Sequence, residues 1–61
     1  MIRIVSFNSY GDLTVLIKDT KYRYYYVNPG TKKKLETYIR HKNWKSSFAL
    51  LNGIVDYENI G

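Results

Sequence analysis

The sequence has 61 residues, a formal net charge of +5, one histidine and no cysteine. A chain of this length forms one small domain, residues 1–61, and buries only about 60% of the surface that its unfolded form exposes. The composition excludes disulfide bonds and cysteine-based zinc sites, and a single histidine cannot supply the three or four ligands that zinc normally needs. We therefore expect no cofactor, and the lack of cysteine favours a reducing, cytoplasmic location.

Three strands are predicted in the first half of the chain. In residues 1–7, Ile2 and Ile4 lie on one face of the predicted strand, and Val5 and Phe7 lie on the other. Both faces should therefore be partly covered. Residues 12–18, DLTVLIK, show the clearest period of two, and residues 21–27, KYRYYYV, are rich in tyrosine, a good strand former. Because KDTK lacks an Asn-Gly or Asp-Gly signal, the hairpin between them should have a loop of three to five residues or a bulge.

A longer helix is predicted after the third strand. Asn28 suits the N-cap and Pro29 the first helical position, and a start at Thr31 is equally consistent with the sequence. From Thr31 to Lys42 the apolar stripe consists of Leu35, Tyr38 and Ile39.

A second, shorter helix should run from Trp44 or Lys45 to Asn52, with Trp44, Phe48 and Leu51 on one face. Gly53 suits the left-handed position just after it, and the tail should form a short fourth strand or an extended segment. The predicted fold is α+β, with a three-stranded antiparallel meander and both helices packed on one face of the sheet.

Residues 31–45 carry the whole charge excess. They contain six basic residues and one acidic residue, Glu36, whereas the rest of the chain contains four of each. Glu36 and Arg40 have the spacing of a helical ion pair, and three lysines in the first turn of the helix would oppose its dipole. Such clustering favours an anionic partner: a nucleic acid, an acidic protein surface or a membrane surface. We expect no membrane binding, because helix faces that are rich in lysine but weakly apolar bind lipid poorly. A solvated helix face that keeps the chain soluble would explain the same residues.

The tyrosines of the third strand are divided between the two faces of the sheet. Tyr22, Tyr24 and Tyr26 share one face of an ideal strand, and Arg23 and Tyr25 share the other. Two helices can cover only one face of the sheet, so one of these sets should be open to solvent. The open rings could pack with wet hydroxyls, bury themselves against a second copy or a protein partner, or stack on unpaired bases.

The order of Leu13-Thr14-Val15, Tyr24-Tyr25-Tyr26 and Val27 before a helix, over residues 12–54, resembles the KTSC domain. That family is named for its occurrence at the C-terminus of some lysyl-tRNA synthetases, and it also occurs as short stand-alone proteins. The resemblance implies a β-β-α type of domain and an association with RNA. It implies no catalytic residues.

The leading hypothesis is a non-enzymatic domain that binds RNA or single-stranded DNA. One histidine, scattered acids and no nucleophile motif predict neither enzymatic activity nor a small-molecule substrate, and no segment reaches the ~20 apolar residues that span a membrane. The predicted nucleic-acid contacts are Lys32, Lys33, Lys34, Arg40, Lys42, Lys45, Arg23 and Tyr25.

The alternative hypothesis is a protein-interaction module, such as a small phage- or virus-encoded inhibitor of a host protein. Its interface would be the row of Tyr22, Tyr24 and Tyr26, because tyrosine is common at binding hot spots. A homodimer is compatible with either hypothesis.

Overall fold

The computed structural model describes residues 1–61 and contains one sheet and two helices. The strands are β1 (Ile2–Phe7), β2 (Leu13–Ile17), β3 (Thr20–Tyr24) and β4 (Tyr57–Asn59), and the helices are α1 (Pro29–Arg40) and α2 (Trp44–Asn52). The sheet is antiparallel throughout, in the order β1-β2-β3-β4. The α+β prediction is confirmed, and the predicted three-stranded meander gains a fourth strand from the tail.

The fourth strand pairs with the edge of β3 that β2 leaves free. Its pairing continues beyond both ends of β4, where Tyr25 N–H donates to the Asp56 carbonyl at 2.8 Å and Ile60 N–H donates to the Lys21 carbonyl at 2.9 Å. The two helices form the connection between β3 and β4, so residues far apart in sequence become neighbours at this edge.

The core lies between one face of the sheet and the helix pair. Its buried residues are Ile2, Leu13, Val15, Tyr24, Val27, Leu35 and Leu51. Leu35 and Leu51 come from the two helices, whereas most of the others project from one face of the sheet. The opposite face of the sheet carries no helix.

A bulge at Val5 corrects the prediction that β1 has apolar residues on both faces. Ile4 pairs with Val15 and Ser6 with Thr14, so one extra residue of β1 lies between two successive partners of β2. Side-chain alternation restarts after the bulge. Phe7 therefore returns to the helix-covered face, where it packs against the core.

Two local predictions about a turn and a helix end are wrong. The β2–β3 loop has two residues rather than three to five, with Lys18 at a φ of 56°. Gly53 has a φ of −79° and is not left-handed. On the predicted apolar face of α2, Phe48 lines a groove with Leu51 but is partly exposed. Ser47 is fully buried, with its hydroxyl donating to the Asn43 carbonyl at 2.8 Å.

Candidate nucleic-acid interface

Helix α1 begins at Pro29, one of the two starts that the sequence allows. The Asn28 side chain caps it, since Asn28 Oδ1 accepts a hydrogen bond from Thr31 N–H at 2.8 Å. Lys32 therefore lies at the end of the first turn, and Lys33 and Lys34 lie in the second. The helix dipole acts mainly within the first turn, so its conflict with these lysines is smaller than the sequence indicates.

The single acidic residue of the basic segment is already paired. Glu36 Oε1 lies 3.0 Å from Lys32 Nζ, so the predicted partner, Arg40, is replaced by the lysine one turn before Glu36. This is the only ion pair within 4.0 Å in the protein. The five other cations of the segment have no carboxylate partner: Lys33, Lys34, Arg40, Lys42 and Lys45.

The turn between the helices has a defined backbone conformation and carries basic side chains. Lys42 N–H donates to the Ile39 carbonyl and Asn43 N–H donates to the Tyr38 carbonyl, the two bonds of a Schellman motif. Lys42 has a φ of 55°, a conformation in which glycine is usual. Lys45 lies in the first turn of α2, where the helix dipole disfavours a cation. Neither Lys42 nor Lys45 is therefore explained by a gain in local stability.

A shallow groove follows the exposed side of α1. It has a volume of about 300 Å³ and is lined by Gly30, Lys33, Lys34, Thr37 and Tyr38. The Lys33 and Lys34 side chains are exposed, whereas the Tyr38 ring is half-buried. The groove thus combines two free ammonium groups with an aromatic surface.

Arg23 and Tyr25 lie on the other side of the molecule. Arg23 pairs in register with Thr14 and Glu58, on the face of the sheet that carries no helix. The Tyr25 hydroxyl donates a hydrogen bond to the Glu58 carboxylate. This bond, more than partial desolvation, raises the pKa of Tyr25, and a hydrogen bond with Arg23 opposes the rise.

The eight predicted contacts therefore form two surfaces. The six cations of residues 31–45 belong to the helical layer, and Arg23 and Tyr25 belong to the open face of the sheet. Glu58 also lies opposite Arg23 and accepts the bond from Tyr25, so this second surface is partly neutralised. The helical surface is the more basic of the two.

The structure does not contain the exposed row of three tyrosines. Tyr22 and Tyr24 pair with Val15 and Leu13 on the helix-covered face, and Tyr24 is only 6% exposed. Tyr24 stacks on Tyr57 of β4, with the ring centroids 5.4 Å apart. Burial, and then the neighbouring Tyr57 and Tyr22, raise the pKa of Tyr24. The sequence allows either set of side chains to face solvent, and in the structure Arg23 and Tyr25 are on the open face.

Tyr26 belongs to neither set, because β3 ends at Tyr24 and pairing with the tail continues only as far as Tyr25. Its φ is 59° and its ring is exposed. Tyr10, at the tip of the β1–β2 loop, is exposed to the same degree and is not singled out by the sequence analysis. The turn-forming run NSYGD around Tyr10 is the signal that could have drawn attention to it.

A second groove lies between α2 and the outer edge of the sheet. It has a volume of about 320 Å³ and is mostly apolar. Its lining residues are Ile17, Tyr22, Tyr24, Phe48, Leu51, Asn52 and Tyr57. The partly exposed rings of Phe48 and Tyr57 contribute to this groove.

Two further features of the whole chain bear on the kind of site. No cluster of three or more histidine, cysteine or acidic side chains lies close enough to hold a metal ion. Neither helix has the length and apolar character that crossing a membrane requires.

Comparison with known proteins identifies no relative. No family model matches the chain, and neither a curated protein nor a solved structure does.

Proposed function

We propose that this chain is a non-enzymatic domain that binds RNA or single-stranded DNA through the phosphate backbone. The observation that carries the proposal is the group of five cations without a carboxylate partner in residues 31–45. An acidic side chain within the segment could have neutralised them, but Glu36 is held by Lys32. The charges remain available to a polyanion.

The placement of the cations fits a phosphate chain better than a single anion. Lys33 and Lys34 line the groove on α1, and Arg40, Lys42 and Lys45 follow at the end of α1 and the start of α2. From Lys33 to Arg40 the helix rises about 10 Å, at about 1.5 Å per residue. Cations distributed over this length suit several successive phosphates, and an RNA ligand is also what the resemblance to the KTSC domain implies.

The test is a titration of fluorescently labelled single-stranded RNA and DNA at salt concentrations from 50 to 300 mM. Affinity should fall linearly on a log–log plot, with a slope of about 0.7 per phosphate contact for single strands. The variant Lys33→Gln/Lys34→Gln should weaken binding and reduce this slope. Lack of binding at 50 mM salt, or binding that does not depend on salt, contradicts the proposal.

A matched control distinguishes the effect on binding of where the charges lie from the effect of net charge. The variant Lys18→Gln/Lys21→Gln also removes two positive charges, but from the β2–β3 hairpin. It should bind more tightly than the Lys33→Gln/Lys34→Gln variant. Equal losses in the two variants would mean that net charge alone governs binding and that α1 is not the contact surface.

Protein binding is a second candidate function, favoured by the apolar groove between α2 and β4. The predicted interface of Tyr22, Tyr24 and Tyr26 is replaced in this candidate by Phe48 and Tyr57, whose rings are partly exposed. A small core also benefits from self-association. Sedimentation at two concentrations tests the homodimer, which Phe48→Asp should dissociate. For a different protein partner, capture that survives nuclease treatment should be lost in Phe48→Asp and kept in Lys33→Gln/Lys34→Gln.

A further inference from the structure

Two loops bring the most exposed aromatic side chains of the protein to one groove. Tyr10 is 84% exposed and Tyr26 is 83% exposed, and both line a groove of about 280 Å³. Phe7, Gly11, Val27 and Pro29 also contribute to it. Tyr10 comes from the β1–β2 loop and Tyr26 from the connection between β3 and α1, so only the folded chain places them together.

The backbone that carries Tyr10 is fixed by Asn8. Asn8 Oδ1 accepts hydrogen bonds from Tyr10 N–H at 2.9 Å and from Asp12 N–H at 3.1 Å. Asn8 N–H also donates to the Asp12 carbonyl at 3.2 Å. The ring at the tip of this loop is thus presented by an ordered turn, which reduces the entropy lost when a ligand binds.

The backbone at Tyr26 is fixed on both sides. Tyr25 N–H donates to the Asp56 carbonyl, and Val27 N–H donates to the Gly11 carbonyl at 2.9 Å, which joins the two loops directly. Tyr26 has a φ of 59°, where glycine or asparagine is usual. The Tyr26 ring contributes little to the core, so this fixed backbone holds an exposed aromatic side chain in a defined place.

The groove and the basic surface of α1 have neighbouring residues at the start of the helix. Pro29 lines the tyrosine groove, and the next residue, Gly30, lines the groove that contains Lys33 and Lys34. The lining residues of the two grooves are thus neighbours at the start of α1, which is close enough for one strand to span both grooves. Among ligands that carry both negative charge and flat apolar surface, a single-stranded nucleic acid matches this sequence of surfaces.

We propose that Tyr10 and Tyr26 form a stacking site for unpaired bases, at the end of the phosphate path along α1. This inference rests on the proposed function and makes it specific for single strands. In a duplex the faces of the bases are stacked on one another, whereas in a single strand they can stack on tyrosine without regard to sequence. The phosphate contacts supply general affinity, and the two rings discriminate single strands from duplexes.

The experiment compares three labelled ligands of equal length: a single strand, a duplex and a single strand whose bases are replaced by abasic sites. Tyr10→Ala and Tyr26→Asn should each weaken binding of the intact single strand by about 5- to 150-fold, the range for loss of one stacked base. Asparagine is chosen at position 26 because it tolerates the left-handed conformation. Duplex affinity, abasic-strand affinity and the salt slope should not change.

Two controls make the outcome decisive. Tyr10→Phe should bind as the wild type does, because stacking needs the ring and not the hydroxyl. In the double variant Tyr10→Ala/Tyr26→Asn, the intact and abasic strands should bind equally.

Failure of this inference differs from failure of the proposed function. If the wild type binds single strands but Tyr10→Ala and Tyr26→Asn have no effect, the stacking site is wrong and the phosphate surface stands. If the wild type binds none of the three ligands, both are wrong. Binding of a proline-rich peptide that Tyr10→Ala abolishes, with no change for nucleic acid, would assign the groove to a protein partner instead.

Discussion

Lys32 Nζ lies 3.0 Å from Glu36 Oε1, and this ion pair occupies the only acidic side chain of residues 31–45. Arg40, which has the spacing to pair with Glu36 from the following turn, is left without a carboxylate. The pair has both side chains partly exposed, so its contribution to stability is small, about 0.3–0.5 kcal/mol for an i, i+4 pair on a helix. Its larger effect is on the charge of the surface.

Replacing the acidic partner should strengthen nucleic-acid binding. Glu36→Gln frees Lys32 and adds one unit of net charge within the basic surface, so affinity should rise and the salt dependence should become steeper. The measurement is the same titration against salt. Asp19→Asn in the β2–β3 hairpin adds the same charge away from α1, and it should have the smaller effect. A larger effect from Asp19→Asn would place the ligand near the hairpin.

Lys42→Gly should raise the stability of the fold and weaken nucleic-acid binding. Relief of the left-handed conformation at Lys42, which costs a residue with a Cβ about 1–2 kcal/mol, exceeds the entropy that glycine adds to the unfolded state, about 0.4–1 kcal/mol. We therefore expect the free energy of unfolding to rise by about 0.5–1 kcal/mol and nucleic-acid affinity to fall. Urea denaturation and the binding titration measure the two effects.

Lys18 provides the control for this variant, because it is also a lysine with a positive φ, 56°. Lys18→Gly should raise stability to a similar degree and leave binding nearly unchanged. If Lys42→Gly bound as tightly as Lys18→Gly, the interhelical turn would not be part of the interface.

Gly11→Ala should destabilise the fold and disturb the tyrosine groove. Gly11 has a φ of +87°, and a Cβ added there would lie 3.0 Å from the Val27 carbonyl oxygen. Strain of this kind costs about 1–3 kcal/mol, which a lower urea midpoint would reveal.

Gly53→Ala is the contrasting substitution. Gly53 has a φ of −79°, and an added Cβ would make an ordinary contact of 3.4 Å with the Leu50 carbonyl oxygen. It should be neutral or stabilising by up to about 1 kcal/mol, since alanine restricts the unfolded chain. Similar destabilisation by both substitutions would contradict the assigned conformations.

The protein should lose stability at alkaline pH through Tyr24. Burial raises the pKa of Tyr24 in the folded state above the value of about 10 that tyrosine has when unfolded. The contribution is therefore complete below pH 10 and is lost as the pH rises through the folded-state pKa, because the unfolded chain releases the proton first. Urea denaturation from pH 8 to 11 should show a shallower decline for Tyr24→Phe than for the wild type. Identical declines would mean that Tyr24 does not titrate differently in the two states.

The positions of the helices were predictable to within about two residues because their signals are local. Asn28 and Pro29 define the start of α1 through a cap and a fixed φ, and the apolar positions Leu35 and Ile39 follow the helical period. α2 begins at Trp44, one of the two starts that the sequence allows. Gly53 shows the limit of such signals, since a glycine permits a left-handed conformation without requiring one.

The position of Phe7 was not predictable from alternation. One extra residue in β1 changes which side chains face the core, and whether a bulge forms depends on the packing of the partner strand, β2. Strand alternation likewise placed Tyr26 on the face of Tyr24, but β3 ends at Tyr24, and Val27 N–H bonds instead to the Gly11 carbonyl of another loop.

By itself the sequence determined the α+β class, the two helices and the concentration of charge in residues 31–45, because composition, capping and periodicity act over a few neighbouring residues. The tertiary structure decided the pairing of β4 with β3, the face that carries Arg23, and the placement of Tyr10 and Tyr26 along one groove. Each of these depends on contacts between residues distant in the chain. Such contacts are selected by the packing of the whole core and by the pairing of strand edges, which no local pattern encodes.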